Sequence, residues 1–246
     1  AGVDPARIRS SDLGFRLAPR INAAGRLGHP DLALQLILAA DRREAQPFAD
    51  QIEERNRERQ RVEDQILRAA ARAIEAQPES ANAKALVAWG DDWHEGVIGI
   101  VASRLVERYG RPVVLIALDG EHGKGSGRSI SSFDLHAGLQ AVSGHLERFG
   151  GHRAAAGLTI ARSELAGFAE ACRRHAEEQL EPGELGRRHR VDAVLALSEV
   201  SIELARELER VPAHMWNLQV GRALEPTALT AHQRQPLAAG RFRASL

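Results

Sequence analysis

A long, highly charged helical stretch constrains this sequence more than any other feature. Between Pro47 and Ala76 most residues are Glu, Arg, Gln or Ala. The apolar residues among them recur at helical spacing, which predicts one continuous helix. They are Phe48, Ile52, Val62, Ile66, Ala70 and Ile74. At about 1.5 Å per residue the helix would span roughly 45 Å. Charges of both signs crowd its middle, so we interpret it as a connector between two domains rather than a core helix.

After Pro78 the pattern becomes that of an α/β domain, which Pro182 and Gly183 close. Strand-like runs cover residues 85–89, 112–118 and 124–130, and helical runs cover residues 97–109, 133–142 and 163–180. A turn at residues 150–151 leads through small residues into a further short strand that ends at Ile160. A last strand at 191–197 and a helix at 201–210 follow. The sequence therefore predicts four parts, residues 1–40, 41–77, 78–182 and 183–246.

The segment before the connecting helix mixes apolar residues with helix breakers. Residues 15–27, FRLAPRINAAGRL, contain Pro19, Gly25 and three arginines, which is typical of a loop packed against another part of a protein. Residues 30–38 begin with a first-turn proline and are apolar nearly all round. We therefore expect a short, buried helix there, which Asp41 ends or re-caps.

The composition indicates a soluble globular protein without an overall charge signal. Hydrophobic residues make up 43% of the chain, and 33 Lys and Arg balance 33 Asp and Glu. Any nucleic-acid site must therefore be local. No apolar run approaches the roughly 20 residues of a membrane span, and the N-terminus lacks a signal-peptide pattern. We expect a cytoplasmic protein without membrane contact. The single cysteine, Cys172, excludes an internal disulfide, and we expect it to be buried and inert.

GGHRAAAG, Gly150 to Gly157, is the first of three glycine-bearing motifs. The adjacent Gly150 and Gly151 permit backbone conformations closed to other residues, and the alanines that follow keep the surface low. A phosphate could then reach exposed main-chain N–H groups. His152 could donate a hydrogen bond to a phosphate oxygen or a leaving group. The structural alternative is a tight turn whose histidine is half-exposed.

The second motif is GKGSGRS, Gly123 to Ser129. In an extended strand Lys124, Ser126 and Arg128 project from one face, so that an ammonium, a hydroxyl and a guanidinium lie together. This arrangement favours phosphate binding. The alternative is an edge strand weakened by glycine, with solvated charges.

The third motif is WHEGVIGIVASRL, Trp93 to Leu105, in which His94 and Glu95 precede a helix. Both could be catalytic or metal-binding residues. The spacing of a His-Glu-x-x-His zinc site is absent, which favours His94 as a substrate-positioning residue or a helix cap.

The sequence offers no other hydrolytic centre. Two-metal phosphodiester hydrolysis needs carboxylates and often histidines that converge on ions about 4 Å apart. The nearest approach to such a run is Asp91, Asp92 and His94, which suits a turn equally well. Ser126 lies between Gly125 and Gly127 but lacks the Gly-x-Ser-x-Gly spacing and the strand–turn–helix context of a hydrolase nucleophile. No metal ligand is therefore assigned in this chain.

Taken together and in this order, APRINAAGRL, the charged helix, WHEGVIGIVASRL, GKGSGRS and FGGHRAAAG closely resemble the RecJ-type exonucleases of the DHH phosphoesterase superfamily. The resemblance covers about residues 14 to 210. It implies a bilobed nuclease in which DNA passes between the lobes. A DHH domain would bind two Mn²⁺ or Mg²⁺ ions, with ligands upstream of this chain.

The resemblance also implies what each part is. Residues 1–40 would be the C-terminal end of the DHH domain, and residues 41–77 the connecting helix. Residues 78–182 would be the DHH-associated accessory domain, an α/β domain with a mixed sheet and the GGH motif. Residues 183–246 would be a degenerate start of an OB-fold or a disordered tail.

By the same resemblance, Arg20 and Arg26 approach the DNA backbone, and Ser126 and Arg128 hold the terminal 5′-phosphate. His152 lies beside the scissile phosphate and is the catalytic candidate. Three further residues are predicted to bind DNA phosphate, and one more is a candidate. The three are Lys124, Gly150 and Gly151, and the candidate is His94.

After Arg210 the sequence departs from the family's pattern. The Pro-Phe-Gly and Gly-Asn-Pro motifs that would introduce an OB-fold are absent, and no strand alternation stands out. One acidic residue, Glu225, offsets four arginines in this stretch. We therefore expect residues 211–246 to be poorly ordered.

The resemblance implies a metal-dependent 5′-to-3′ exonuclease specific for single-stranded DNA in repair and recombination. We expect this chain to bind 5′-phosphorylated single strands and to be inactive alone. Expected protein partners are a single-strand-binding protein and a helicase. Two alternatives stay open. One is a smaller DHH-family phosphodiesterase on short oligonucleotides or cyclic dinucleotides, and the other is a non-catalytic nucleic-acid-binding module.

Overall fold

The chain divides into two compact units in the computed structural model. The described residues are 2–186, 193–196, 199–210 and 241–244. One unit is Pro19–Arg187, and the other combines Ala1–Ala18 with Arg188–Leu246. None of the described helices has both the length and the apolar composition needed to cross a membrane.

The elements follow the chain in a regular order. The helices are α1 (Ser10–Asp12), α2 (Ala18–Leu27), α3 (Asp31–Leu38), α4 (Arg42–Glu75), α5 (Glu95–Tyr109), α6 (Leu135–Ala141), α7 (Leu165–Gln179) and α8 (Ile202–Arg210). The strands are β1 (Leu86–Gly90), β2 (Val113–Asp119), β3 (His122–Arg128), β4 (Arg148–Gly151), β5 (Ala155–Ala161), β6 (Ala193–Ala196) and β7 (Arg241–Ala244). Short turns of 3-10 helix and one π-helical turn, Leu13–Leu17, complete them.

The larger unit is built on a mixed sheet. Its five strands lie in the order β1-β2-β3-β5-β4. The first pair, β1 and β2, is parallel, and α5 connects it, because parallel strands need a crossover. The remaining pairs are antiparallel. The predicted α/β class with a mixed sheet is confirmed.

Each face of this sheet has its own apolar core. On one face Ile116, Leu158 and Ile160 pack with residues of α6 and α7 such as Leu139 and Phe168. On the other face the strands pack against α4 and α5. Residues of that second core include Val113, Leu115, Ile98, Val101 and Ile66. Alternation along β2 supplies both cores, because successive side chains of a strand point to opposite faces.

The connecting helix α4 is longer than predicted. It begins at Arg42, because the side chain of Asp41 accepts a hydrogen bond from the N–H of Glu44 at 2.9 Å. Pro47 therefore lies inside the helix and does not open it. A helix of 34 residues spans about 51 Å.

The interpretation of α4 as a rod outside any core is wrong for its C-terminal half. Ile66, Ala70 and Ile74 are buried in the core that α5 shares. Part of its charged middle is buried as well. Glu63 is 1% exposed and forms ion pairs with Arg59 on the same helix and with Arg104 on α5. Sequence counts of charge could not show this, since a buried ion pair and a solvated one have the same composition.

Two expectations for the segment before α4 are also wrong. Residues 15–27 are helical and not a loop. Pro19 lies inside a continuous helical run, directly after the π-helical turn Leu13–Leu17 and Ala18. The helix at residues 30–38 exists as α3, but it is not buried all round, since Ile37 is 65% exposed and Leu38 is 70% exposed. Ala33 is its buried residue.

The smaller unit contains α8 and an antiparallel pair, β6 and β7. The strand and helix expected at 191–197 and 201–210 are found as Ala193–Ala196 and Ile202–Arg210. The predicted disorder of 211–246 falls outside the described residues except at Arg241–Ala244, where the chain forms a strand. This pair of strands does not confirm an OB-fold.

Candidate nucleic-acid interface

Strand β3 presents two different faces. The glycines at 123, 125 and 127 are buried, while Lys124 is exposed and Ser126 and Arg128 are half-buried. The prediction that these three side chains share a face is therefore confirmed. The alternative of an edge strand is wrong, since β3 lies between β2 and β5.

The glycines of β3 are required by packing. A Cβ at Gly125 would lie 2.6 Å from Cδ1 of Leu158, and a Cβ at Gly123 would lie 2.6 Å from Cγ2 of Ile116. These contacts are on the face that α6 and α7 cover. The glycines therefore let large core side chains reach the strand.

An open cleft of about 630 Å³ lies on the opposite face. Helix α5 packs on β2 and β3, and the cleft runs beside its N-terminus. The lining residues are Glu95, Gly96, Ile98, Lys124, Gly125, Ser126, Arg148, Phe149, Gly150, Gly157, Leu158 and Thr159. Many of them are small or glycine, so an extended ligand could approach the sheet closely.

Arg128 lies at one end of the three polar side chains of β3, which are Lys124, Ser126 and Arg128. Its guanidinium donates hydrogen bonds to Oγ of Ser126 at 2.9 Å and to the carbonyl of Gly127 at 2.7 Å. It packs on Gly99 of α5, where a Cβ would lie 2.8 Å from its Nη2. Burial lowers the pKa of Arg128, and the positive charge of Arg26 lowers it further. The contact with Gly99 places the cation beside the helix and next to a second arginine.

That second arginine arrives from α2. Arg26 donates a hydrogen bond from Nη1 to the carbonyl of Gly96 at 3.0 Å. A Cβ at Gly96 would lie 2.2 Å from the carbonyl oxygen of Arg26. Glycine at the start of α5 therefore allows the end of α2 to approach, which brings two predicted DNA-binding arginines together.

His94 caps α5. Its Nδ1 accepts a hydrogen bond from the N–H of Gly96 at 3.0 Å. The capping role considered from the sequence is therefore present. An imidazole that accepts at Nδ1 carries its proton at Nε2 when neutral, and a DNA contact through that nitrogen stays a prediction.

Lys124 lies at the other end of these three polar side chains of β3. Its ammonium forms an ion pair of 2.5 Å with Glu95, the first residue of α5. Both side chains are exposed. The ammonium that was predicted to bind phosphate is thus already paired with a carboxylate.

The GGH motif forms the β4–β5 hairpin. The N–H of His152 bonds to the carbonyl of Ala155 at 2.8 Å, so the tight turn is present and the histidine is exposed at its start. Gly151 has a φ of 146°, and a Cβ there would lie 2.5 Å from the carbonyl oxygen of Ala155. Gly150, in contrast, faces open space. Of the alanines after His152, Ala154 lies in the turn, and Ala155 and Ala156 begin β5.

Arg20 is engaged elsewhere. Its Nε lies 2.7 Å from Oε2 of Glu53 on α4, and the hydrogen bond lowers the pKa of that carboxyl group. Both side chains are about one quarter exposed. The described contacts thus attach Arg20 to the connecting helix, and its predicted DNA contact stays a prediction.

Two cleft residues were missed in the sequence. Arg148 and Thr159 line the cleft, and the strand register places them in one row with Lys124. Alternation along β4 and β5 was the available signal. It could not be used, because the pairing of these strands is set by the hairpin and not by composition.

Metal ligands are a separate question. Within the described residues, no three His, Cys, Asp or Glu side chains come together as a metal site would require. None of these residues is therefore assigned to an ion.

Comparison with known proteins gives the family. The DHHA1 domain family matches residues 82–178. The single-stranded-DNA-specific exonuclease RecJ of Bacillus subtilis is 33% identical over 210 residues, which are 85% of this chain and 26% of that protein. RecJ of Escherichia coli is 34% identical over 85% of this chain and 37% of that protein. This chain belongs to the RecJ family. It spans about a quarter to a third of the length of these RecJ relatives.

Solved RecJ structures agree in fold. RecJ from Thermus thermophilus in complex with Mg²⁺ superposes with a TM-score of 0.64 at 37% identity, over 71% of this chain and 27% of that one. An exonuclease RecJ bound to manganese gives a TM-score of 0.62 at 38% identity, over 70% of this chain and 42% of that one. The likeness to RecJ thus covers most of this chain and a minor part of each neighbour.

Proposed function

We propose that this chain supplies the DNA-binding part of a 5′-to-3′ exonuclease specific for single-stranded DNA, acting in repair and recombination in the cytoplasm. The pair of arginines beside the first turns of α5, Arg26 and Arg128, is the observation that carries the proposal. The RecJ relatives of this chain are named as single-stranded-DNA-specific exonucleases.

The physical argument is charge compensation. Arg128 is half-buried next to Arg26, and among the described residues no carboxylate forms an ion pair with it. Two adjacent guanidinium groups repel each other, so an anion between them is stabilised by both. The hydroxyl of Ser126, 2.9 Å from Arg128, adds a donor. A terminal phosphate carries more negative charge than an internal one, which favours the 5′ end.

The GGH hairpin would act at the same end of the sheet as Arg128, because Ala155, which accepts a hydrogen bond from the N–H of His152, pairs with Arg128 on β3. His152 is exposed at the turn, where its imidazole could donate a hydrogen bond to the scissile phosphate. A fixed distance between the 5′-phosphate pocket and this histidine would give the exonuclease its polarity. We further propose that the whole protein uses Mn²⁺ or Mg²⁺, the ions named with its solved relatives. A single-strand-binding protein and a helicase are the proposed partners.

Fluorescence anisotropy with single-stranded oligonucleotides tests the proposal. The strands carry a 5′-phosphate or a 5′-hydroxyl, and a hairpin duplex is the control for strand specificity. We expect the phosphorylated single strand to bind about tenfold more tightly, and Arg128→Ala to abolish that preference. The matched control is Arg174→Ala, an exposed arginine on α7, which packs on the other face of the sheet. Equal binding of both strands by the wild-type chain would contradict the 5′-phosphate pocket.

A further inference from the structure

We propose that Arg148, Thr159 and Lys124 form a second phosphate-binding row, which holds the strand several nucleotides beyond its 5′ end. The inference rests on the proposed function, because it extends the same cleft. It assigns a binding role to two residues, Arg148 and Thr159, that neither the sequence motifs nor the family resemblance indicated.

The register of the sheet defines the row. On β3 and β5 Lys124 pairs with Thr159, and on β5 and β4 Thr159 pairs with Arg148. Directly paired residues point to the same face of a sheet. Lys124 and Arg148 are therefore two strand spacings apart, about 10 Å, with the Thr159 hydroxyl between them. Arg148 and the Thr159 hydroxyl can reach one phosphate there, and Lys124 can join them by exchanging its ion pair with Glu95 for the phosphate.

Arg148 carries the charge that favours an anion in this row, because the ammonium of Lys124 is already paired with Glu95. Arg148 is exposed and lines the cleft, and within the described parts of the chain no carboxylate forms an ion pair with it. Neighbouring arginines differ. Arg153 lies 3.9 Å from a carboxylate oxygen of Asp134, and Arg162 is paired with Asp91. Arg148 is thus a cleft cation whose charge is not neutralised by an acidic side chain.

The distance between Arg128 and the second row fits a single strand of DNA that lies along β3. From Arg128 to Lys124 is four residues, about 13 Å. Between them the middle row consists of Ser126, Gly157 and Gly150, which carry no bulky side chain. The strand therefore has a shallow path from one row to the other. At about 3.4 Å per stacked nucleotide, 13 Å corresponds to roughly four nucleotides, and to fewer in an extended strand.

This geometry predicts that the role of Arg148 depends on ligand length. A mononucleotide with a 5′-phosphate reaches only the terminal pocket at Arg128, while a hexanucleotide reaches both that pocket and the second row. Arg148→Ala should leave the affinity for thymidine 5′-monophosphate unchanged and should weaken a 5′-phosphorylated hexathymidylate about five- to tenfold. The number of ions released when the hexamer binds, measured from the slope of log affinity against log salt concentration, should fall by about one. Arg148→Lys, which keeps the charge, should restore most of the affinity.

The experiment is a competition series on the full chain, with unlabelled 5′-phosphorylated oligothymidylates of one to six nucleotides displacing a labelled strand. Arg174→Ala is again the matched control, and thermal unfolding of each variant checks the fold. A loss that appears only beyond the shortest ligands, and is absent in the control, supports the second row. If Arg148→Ala binds every length like the wild type, the second row is wrong.

The series also separates this inference from the proposed function. A wild-type chain that prefers 5′-phosphorylated strands while Arg148→Ala has no effect contradicts the second row alone. A wild-type chain indifferent to the 5′-phosphate contradicts the terminal pocket. An equal loss for mononucleotide and hexamer would place Arg148 in the terminal pocket and would overturn the row as proposed.

Discussion

The two faces of the five-stranded sheet differ in how completely they are covered. On one face α6 and α7 lie over an apolar core that includes Ile116, Leu158 and Phe168. On the other face α5 packs on β2 and β3, and a cleft of about 630 Å³ opens beside it. Strand β3 serves both faces, with glycines toward the core and Lys124, Ser126 and Arg128 toward the cleft.

The comparison teaches what the alternating glycines do. A glycine-rich strand in a phosphate-binding protein suggests that a ligand approaches the backbone. Here Gly123 and Gly125 make room for core side chains on the closed face. The proposed phosphate binding depends on the residues between them, which point the other way. Structural and functional demands are thus met by alternate positions of a single strand.

The largest expected difference concerns Cys172, which packs against the closed core. Burial raises the pKa of its thiol to about 12, from 9.0. The thiolate is the reactive form, so near pH 8 the native thiol should react about a thousandfold more slowly than the unfolded one. The rate of reaction with a disulfide reagent, measured with and without urea, checks this. Rapid labelling of the native chain would show that the closed face opens readily.

The next largest effect comes from replacing a glycine by alanine on each face of the sheet in turn. Gly125→Ala puts a methyl group 2.6 Å from Cγ and Cδ1 of Leu158, so we expect a loss of about 1–3 kcal/mol in the free energy of unfolding. Gly150→Ala, on the open face, meets no atom within 4 Å and should change stability by less than about 1 kcal/mol. Urea denaturation measures both. Similar losses for the two variants would mean that the two faces do not differ in packing.

Much of the fold was predictable from the sequence, because periodicity is local information. Except for β4, where only a turn was predicted, the strands and helices of residues 85–180 are close to their predicted places, and the side-chain alternation of β3 was correct. Contacts distant in sequence were not predictable. The exposure of Leu38 on α3 depends on what lies against that helix, and not on its own pattern.

The candidate site shows the same division. Ser126 and Arg128 could be grouped from their spacing, since a strand fixes their common face. The approach of Arg26 to α5 requires the end of α2 to meet Gly96, 70 residues later. Arg148 joins the cleft through a hairpin register that its own sequence does not encode. Secondary structure thus gave half of the site, and tertiary pairing gave the rest.

The smallest expected effect comes from Gly99, where the packing of α5 on β3 meets the proposed phosphate pocket. A Cβ there would lie 2.8 Å from Nη2 of Arg128 and 2.9 Å from Oγ of Ser126. The end of a flexible arginine can move aside, and alanine favours the helix by up to about 1 kcal/mol, so Gly99→Ala should not lower stability. It should displace Arg128 and weaken binding of a 5′-phosphorylated strand about three- to fivefold.

A double-mutant cycle shows whether Gly99 acts through Arg128. In an Arg128→Ala background the methyl group meets only Oγ of Ser126, so Gly99→Ala should cause a clearly smaller loss of affinity than in the wild type. Anisotropy titrations of the four proteins with the same phosphorylated strand measure the coupling. An equal loss in both backgrounds would mean that the methyl group blocks the DNA itself, and the packing of Arg128 on α5 would then not be what positions it.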